Sequence, residues 1–339
     1  MIQLEKNWEV DKAIKKLIRS ILDVNSYLSA VLKYIGQVIT PQREKELISI
    51  LKRYSIPCPG LKQEEKILTN NPYFQNIKLE NINYGAVSYE QAVIEKRTLI
   101  NLDFSKPLGK YLFHYHPLGY FDQDLHLPVL KEGDTVWMSP AISEINSMKT
   151  GIKKGHGKCL TMGLGIGVLP YLWLLKDEVK SVTVIEFNKD VIYLFDNYIR
   201  PQFKLDKKLK IIHGDAFDYY NEEFLNQFDY VYIDFWESTA DGLKYYTKLM
   251  EKGIVLEHVD YWIEDAILYD LKYILTLYLC SLYQGKNIAD FISSLDNETR
   301  GYAKKINLYF EEKNDVIKTE AQLLKIIHNK GLLREILRQ

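Results

Sequence analysis

Residues 159–168 read Cys-Leu-Thr-Met-Gly-Leu-Gly-Ile-Gly-Val, a short apolar run that ends in three glycines at alternate positions. A helix-like segment, 168–176, follows directly. Glycine allows a sharp backbone turn and lets a ligand approach N–H groups that a Cβ atom would screen. The pattern therefore predicts a strand, a ligand-binding loop and a helix, in that order.

Downstream of this loop, apolar strand candidates alternate with helix candidates. The strand candidates are 158–162, 182–186, 210–213, 230–234 and 253–257, and the helix candidates are 168–176, 189–199, 218–228 and 240–250. Apolar strands that alternate with helices imply parallel β-α-β units with right-handed crossovers. With a helix predicted from Ser143 leading into it, region 143–284 is predicted to be a doubly wound, Rossmann-like α/β domain.

Three further regions flank the predicted domain. Residues 1–70 have apolar residues at helical spacing, with Thr40 and Pro41 opening one helix. Residues 71–142 form short aromatic and β-branched runs between Pro, Gly and Asn, which predicts a small β-rich region. Residues 285–339 are predicted to be a helical extension, with 306–310 as its strand-like run. The helical flanks are candidates for packing, for a lid or for a homodimer surface.

Composition narrows the class of protein. The chain has 339 residues with 44 Lys and Arg against 45 Asp and Glu, so its charge gives no sign of nucleic-acid binding. Three widely spaced cysteines suggest a reducing compartment rather than a disulfide framework. The charged first residues predict no signal peptide, and the most apolar helix candidate, 266–282, is too short and too charged to span a bilayer. We therefore expect a cytoplasmic protein with no membrane partner.

His114 and His116 stand out in the β-rich region. Alternate residues of a strand share one face, and Asp122, Asp124 and His126 follow nearby. A metal site needs a defined ligand set at the right geometry, which spacing alone does not supply. An aromatic-rich hairpin or lid loop over 117–128 is the favoured interpretation, and no metal is predicted.

Three carboxylates follow three successive predicted strands. Glu186 ends the second strand 23 residues after Gly163, Asp215 follows the third, and Asp234 ends the fourth. Ligands of open α/β sheets bind at the carboxyl ends of the strands, and a carboxylate at the spacing of Glu186 suits ribose hydroxyls. Together with the glycine loop, the three carboxylates predict a nucleoside site.

The spacing of the glycines restricts the class of nucleotide that the loop can bind. A dinucleotide fingerprint requires G-x-G-x-x-G or G-x-G-x-x-A, and Val168 stands at its last position. No Lys followed by Ser or Thr completes a phosphate-binding P-loop. An NAD-dependent oxidoreductase is therefore the least favoured of the enzyme classes considered.

The G-x-G-x-G loop and the strand-end carboxylates resemble those of class I S-adenosylmethionine (SAM)-dependent methyltransferases over about residues 157–260. The resemblance implies that Gly163, Leu164, Gly165 and Gly167 approach the methionine moiety, Glu186 holds the ribose, Phe187 lies beside the adenine, Asp215 and Ala216 contact the adenine, and Asp234 faces the reacting end of the cofactor. Thr161 stands where that family commonly has an acidic residue.

Thr161 and the segment Val-Ile-Glu-Phe-Asn-Lys-Asp-Val-Ile at 184–192 look like the spermidine and spermine synthase branch of this fold. The segment Asp-Thr-Val-Trp-Met at 134–138 is similar to a motif of that branch, but Met138 replaces its glutamine. Residues 143–150 lack the acidic pair and the Tyr-His-Glu run of the branch, and Phe-Trp-Glu follows Asp234. The residues that bind and deprotonate a polyamine are therefore missing at these positions.

These observations favour a SAM-dependent methyltransferase that acts on a small-molecule acceptor. Asp234 is the candidate catalytic residue, as a base or as a cofactor ligand. Trp236 and Glu237 are candidate substrate contacts, and a core position for Trp236 is an equal alternative. The alternatives are aminopropyl transfer from decarboxylated SAM and a nucleoside-binding scaffold without catalysis.

Overall fold

A computed structural model of the chain describes residues 2–138, 142–203 and 208–339. The first elements are β1 (Gln3–Leu4), α1 (Trp8–Val31), α2 (Pro41–Arg53), α3 (Lys66–Thr69) and α4 (Pro72–Asn76). Helix α2 begins where the sequence predicts, because the Thr40 side chain accepts a hydrogen bond from the Arg43 N–H at 3.3 Å and Pro41 has no backbone N–H that would need an acceptor there.

The β-rich region contains a four-stranded antiparallel sheet and two short ladders. Its strands are β2 (Ile82–Tyr84), β3 (Val87–Ile94), β4 (Ile100–Asn101), β5 (Lys106–Pro107), β6 (His114–Tyr115), β7 (Leu118–Gly119), β8 (Leu125–Glu132) and β9 (Thr135–Met138). The sheet order is β2-β3-β8-β9, and β4 pairs with β7 and β5 with β6. The predicted loop over 117–128 is partly wrong, because β8 begins at Leu125. Its four consecutive buried residues hide the alternation by which a strand is recognised.

The central region is a five-stranded, fully parallel sheet flanked by helices. Its elements are α5 (Ile142–Lys154), β10 (Gly157–Met162), α6 (Val168–Leu174), β11 (Val179–Glu186), α7 (Lys189–Leu194), β12 (Leu209–His213), α8 (Ala216–Tyr219), α9 (Glu222–Leu225), β13 (Tyr230–Ile233), α10 (Thr239–Met250) and β14 (Val259–Tyr261). The strand order is β12-β11-β10-β13-β14. This order defines a Rossmann-like sheet. From β10 the chain first adds strands on one side of the sheet and then on the other, so the switch in strand order lies at β10, whose carboxyl end leads into the glycine loop.

The prediction of the fifth strand at 253–257 is wrong. Gly253 has a positive φ of 76° and donates its N–H to the Met250 carbonyl at 2.9 Å, so it terminates α10. The chain then turns, with Val255 mostly exposed, before β14 joins the sheet edge. The apolar run Ile254-Val255-Leu256 resembles a strand in sequence, but it lies in this connection.

Helices dominate the remaining chain. They are α11 (Glu264–Tyr283), α12 (Ile288–Ser293), α13 (Asn297–Glu311), α14 (Glu320–His328) and α15 (Lys330–Leu337), with β15 (Val316–Ile317) before α14. The predicted strand at 306–310 is wrong, because Ala303, Ile306 and Phe310 are buried along one face of α13. Strand β15 pairs with β1 and joins the two ends of the described chain.

Helix α11 is longer than the sequence suggested. Its 20 residues are long and apolar enough to cross a membrane by length and composition, contrary to the prediction. However, 56% of its most apolar window is buried inside the protein, as in a core helix of a soluble protein. The apolar core is continuous from α1 through the sheet to α15. The boundaries at residues 70, 142 and 284 stay predictions.

Candidate active site

The glycine loop fits closely between two other segments. Gly163 has a φ of 109°, and a Cβ atom there would overlap the backbone carbonyl oxygen of Asp234. Gly165 has a φ of 53°, and its missing Cβ leaves the space that the Met138 sulfur occupies. Both positions therefore require glycine for backbone conformation and for close approach.

Gly167 has a different place from the other two glycines. Gly167 directly precedes α6 and has a φ of 79°. Its N–H donates to the Leu164 carbonyl at 2.9 Å, and a Cβ atom at this position would overlap the Phe195 ring. It is not among the residues that line the cavity described below. Its direct contribution in this structure is to turn the loop into the helix.

The loop N–H groups are mostly bonded within the protein. The Gly163 N–H donates to the Ile185 carbonyl at 2.8 Å, and the Leu164 N–H donates to Glu186 Oε2 at 2.9 Å. The Ile166 N–H points at Met138 Sδ at 3.4 Å, a weak acceptor. The loop is thus tied to β11 on one side and to β9 on the other.

A cavity of about 420 Å³ opens at the carboxyl ends of the parallel strands. Every residue that the sequence singled out for cofactor or substrate lines it, except Gly167: these are Gly163, Leu164, Gly165, Glu186, Phe187, Asp215, Ala216, Asp234, Trp236 and Glu237. The tertiary structure therefore brings together residues from four strand ends, and the volume lies within the usual range of small-molecule sites.

Glu186 is a buried carboxylate in the wall of this cavity, with 8% of its surface exposed. Burial raises the pKa of Glu186, while hydrogen bonds from the N–H groups of Asn188, at 2.7 Å, and Leu164 act in the opposite direction. Each carboxylate oxygen accepts one of these bonds and keeps a further lone pair. Glu186 is therefore held rigidly and still has acceptor capacity for ligand hydroxyls.

Asp215 and Phe187 both line the cavity. Asp215 caps α8, because its Oδ1 accepts from the Phe217 N–H at 2.9 Å. Ala216 follows it and is buried, whereas 69% of the Phe187 surface is exposed at the rim. A flat ring bound here would have an acceptor oxygen beside it and an exposed aromatic ring free to cover it.

Asp234 follows β13, and its N–H continues the ladder to the Met162 carbonyl at 2.8 Å. Burial raises the pKa of the Asp234 carboxyl to about 7. Among the described residues, none donates a hydrogen bond to this carboxylate. Asp234 is thus poised to gain or lose a proton near neutral pH.

Trp236 lies both in the apolar core and in the wall of the cavity. Its side chain is 4% exposed and packs against Phe235 with ring centroids 5.3 Å apart, as a core residue would. It also lines the cavity, and its buried indole N–H has no hydrogen-bond partner in the described part of the chain. Glu237 is exposed at the rim, where its N–H donates to Asp241 at 2.9 Å.

The sequence did not single out the wall opposite the sheet as part of the site. Trp137 and Met138 of β9, Glu144 and Met148 of α5, Asp241 and Tyr245 of α10, and Trp262 after β14 also line the cavity. The comparison with the spermidine synthase branch covered two of these segments, 134–138 and 143–150, without assigning either to the site. Tyr245 and Trp262 had no signal, because only the packing of distant elements brings them to the cavity.

The described residues that line the cavity include many acidic side chains. It contains six carboxylates, Glu144, Glu186, Asp215, Asp234, Glu237 and Asp241, and no Lys, Arg or His. Clefts lined by one sign of charge attract ligands of the opposite sign. Nowhere in the described ranges do three or more His, Cys, Asp or Glu side chains form a possible metal site. The six carboxylates therefore favour a ligand with positive charge.

Comparisons with known proteins assign no family: no family model and no curated protein matches. Among solved structures, a protein described as a SAM-dependent methyltransferase from Streptococcus mutans is 16% identical over 44% of this chain and 42% of its own, with TM-score 0.30. One described as a caffeoyl-CoA O-methyltransferase from Staphylococcus aureus is 18% identical over 49% and 70%, with TM-score 0.27. Another, described as a methyltransferase complexed with SAH, is 11% identical over 76% and 66%, with TM-score 0.27.

This chain spans less than half the length of the first of these proteins. Likenesses this weak do not establish a family. The sheet order and the residues at its edge define the class instead: a doubly wound α/β protein with an acidic cavity at the carboxyl ends of its strands.

Proposed function

We propose that the protein is a SAM-dependent methyltransferase that acts on a small-molecule acceptor. The observation that supports this most directly is the convergence of Glu186, Asp215 and Asp234 on one cavity beside the glycine loop. SAM carries a sulfonium and an ammonium group, and its ribose and adenine offer hydrogen-bond donors. A cavity with six carboxylates and no basic side chain in its described lining matches that set of groups.

The residues that line the cavity suit both the nucleoside end and the methionine end of SAM. Glu186 would accept from the ribose hydroxyls with its remaining lone pairs, and Asp215 would accept from the adenine amine with Phe187 at the ring edge. The loop at Gly163 and Gly165 allows the methionine portion to approach the backbone closely. When bound, the cofactor supplies an already activated methyl group, so the protein needs chiefly to orient the acceptor.

Asp234 would take the proton of the acceptor. A carboxyl whose pKa lies near 7 is balanced between its two protonation states at neutral pH, as an efficient general base requires. Trp236 and Trp262 line the cavity with Asp234, and aromatic faces suit an apolar or cationic acceptor. The enclosure by three tryptophans and Tyr245 supports a small acceptor rather than a macromolecule.

One observation favours a second candidate, aminopropyl transfer from decarboxylated SAM. The described lining has no cation to pair with the carboxylate of SAM, and Met138 occupies the space beside the Ile166 N–H that such a carboxylate would use. Decarboxylated SAM lacks this group and is more positive. The residues that deprotonate a polyamine in the spermidine synthase branch are nevertheless absent, so methyl transfer remains the first proposal.

Calorimetric titration of the full chain tests the proposal. We expect S-adenosylhomocysteine to bind with micromolar affinity, and Glu186→Ala and Gly165→Val to weaken binding sharply. No binding to the wild-type protein would contradict it. A preference for decarboxylated SAM, with spermidine formed from putrescine, would instead support the second candidate. If Asp234→Asn changes no assayed property, a non-catalytic nucleoside-binding scaffold is the better description.

A further inference from the structure

Asp234 is a cavity carboxylate to which the described chain donates no hydrogen bond. By contrast, Glu186, Asp215 and Asp241 each accept hydrogen bonds from backbone N–H groups. Burial alone raises the pKa of the Asp234 carboxyl, because no described partner favours its charged form. A polar group in a buried place without a partner is uncommon in folded proteins and needs a water, an ion or a ligand to explain it. A ligand that donates hydrogen bonds would meet this need.

The strand register places Asp234 between the glycine loop and Trp262. In the parallel sheet, Ile233 lies beside Met162 of β10 and beside Tyr261 of β14. The Asp234 N–H donates to the Met162 carbonyl at 2.8 Å, and the Trp262 N–H donates to the Ile233 carbonyl at 2.9 Å. Both ladders therefore continue by one residue. Asp234 has the loop proposed for the cofactor on one side and Trp262 on the other, which leaves the Trp262 side for the acceptor.

Trp262 offers the cavity carbon atoms rather than a hydrogen-bonding group. Its indole N–H donates to Ser147 Oγ at 2.7 Å, and Ser147 is not among the described residues of the lining. Phe104 packs edge-on against the Trp262 ring, with centroids 5.3 Å apart. The ring is thus held in place by contacts outside the cavity. Aromatic carbon beside a carboxylate suits an alkyl chain that ends in a positive charge.

The described lining has few side chains that donate hydrogen bonds. Apart from the tryptophan indoles, the donors are the hydroxyls of Thr161 and Tyr245, and no Ser, Asn, Gln, His, Lys or Arg belongs to the described lining. Thr161 is fully buried, and its hydroxyl lies 3.5 Å from the Gly163 carbonyl oxygen. An acceptor that carries a carboxylate, a phosphate or many hydroxyls would lose its hydration here without gaining side-chain partners.

An alkylammonium group matches these features better than a hydroxyl group does. Its N–H groups donate to Asp234, and the six carboxylates of the lining attract its charge. The pKa of the Asp234 carboxyl is about 7. The pKa of an alkylammonium is about 10.4, as in Lys, whereas that of a hydroxyl is roughly 16, as in water. Asp234 can therefore take a proton from an amine far more readily than from an alcohol.

We propose that the acceptor is a primary or secondary alkylamine without an anionic group, bound as its ammonium ion between Asp234 and Trp262. This inference rests on the proposed function, since the amine is the molecule that receives the methyl group. It narrows the acceptor from a small molecule of any kind to one whose single polar group is the reacting nitrogen.

The transfer balances with Asp234 as the base. The Asp234 carboxylate takes one proton from the bound ammonium, which frees the lone pair of the nitrogen. This lone pair forms the new N–C bond to the methyl group while the C–S bond breaks and its electron pair stays on sulfur. The products are a methylated ammonium ion and a neutral thioether, and the proton on Asp234 then passes to solvent.

Calorimetry on the full chain saturated with S-adenosylhomocysteine tests the proposal with three matched probes. These are 3-methylbutylamine, 3-methyl-1-butanol, in which a hydroxyl replaces the amine, and leucine, which adds a carboxylate to the same amine. We expect the amine to bind in a saturable way and at least about tenfold more tightly than the other two. Trp262→Leu should raise the Kd of the amine about three- to tenfold, and Trp262→Phe, which keeps an aromatic ring, should raise it less. Glu257→Gln, at an exposed position before β14, is the control and should leave the Kd unchanged.

Several outcomes would overturn the proposal. They are equal binding of the amine and the alcohol, tighter binding of leucine than of the amine, and no binding of the amine to the saturated protein. The titration with S-adenosylhomocysteine that precedes the probes separates the two levels of inference. If S-adenosylhomocysteine does not bind, the proposed function itself fails. If it binds and the amine is not preferred, only the assignment of the acceptor as an alkylamine fails.

Discussion

Glu186 Oε2 accepts a hydrogen bond from the Leu164 N–H at 2.9 Å, so the carboxylate at the end of β11 holds the glycine loop that follows β10. The other oxygen accepts from the Asn188 N–H at 2.7 Å. One side chain therefore fixes the two loops that flank the candidate nucleoside site. Two backbone N–H groups therefore stabilise the charge of this buried carboxylate.

Replacing Glu186 should weaken both the support of the glycine loop and ligand binding. A glutamine has one acceptor oxygen, so Glu186→Gln leaves one of the two N–H groups facing an NH₂ group. We expect a loss of about 1–3 kcal/mol in the free energy of unfolding and weaker S-adenosylhomocysteine binding. Chemical unfolding and calorimetry measure the two effects. Glu178→Gln, at an exposed position before the same strand, is the matched control and should change neither.

Substitution of Gly163 tests the close approach of the loop to Asp234. Gly163→Ala combines a positive φ with overlap of the Asp234 carbonyl oxygen, so we expect a destabilisation of at least about 3 kcal/mol. Gly253→Ala has a similar positive φ with no heavy atom within 4 Å, and should cost only about 1–2 kcal/mol. Urea unfolding compares the two. Equal losses would show that backbone strain alone acts at Gly163.

Asp234 should make stability depend on pH. Its pKa in the folded protein, about 7, lies above its ordinary value near 3.8, so the folded state binds the proton more tightly between these values. Stability is then highest at low pH for this group and is lost as the pH rises to about 7. Asp234→Asn removes the effect and should be more stable than the wild type at pH 8 by about 2–4 kcal/mol, with little difference at pH 4. Unfolding curves from pH 4 to 8 measure it, and a constant difference would contradict it.

Glu264 should anchor the last helix. Its Oε1 accepts from Arg334 Nη2 at 2.5 Å and from the Tyr246 hydroxyl at 2.5 Å, which ties α15 and α10 to the start of α11. Glu264→Gln leaves the partly buried Arg334 without its charge partner, and we expect a loss of about 2–4 kcal/mol in the free energy of unfolding. The neighbouring Asp265→Asn breaks only an exposed pair with Lys330 and should cost less than about 1 kcal/mol. Comparable losses in the two variants would argue against a special role for Glu264.

Local sequence features predicted the sheet strands well where two signals agreed. Strands β10, β11, β12 and β13 start within three residues of their predictions, because apolar runs there end in glycine, Glu, His and Asp. The fifth strand and segment 306–310 were wrong because each rested on a short apolar run alone. Such a run is compatible with a strand, a helix face or a connection, and only its burial partners decide among them.

The candidate site likewise has one part that local sequence patterns predicted and one part that they did not. Glycine spacing and strand-end carboxylates are local patterns, so the sequence by itself determined the sheet side of the cavity from Gly163 to Asp234. The tertiary structure decided which residues form the opposite wall, since β9, α5 and α10 place Met138, Glu144 and Tyr245 there. It also decided the shifted pKa of the Asp234 carboxyl and the unpartnered indole N–H of Trp236 among the described residues. Burial and the absence of a described partner depend on neighbours distant in sequence, and no local pattern encodes them.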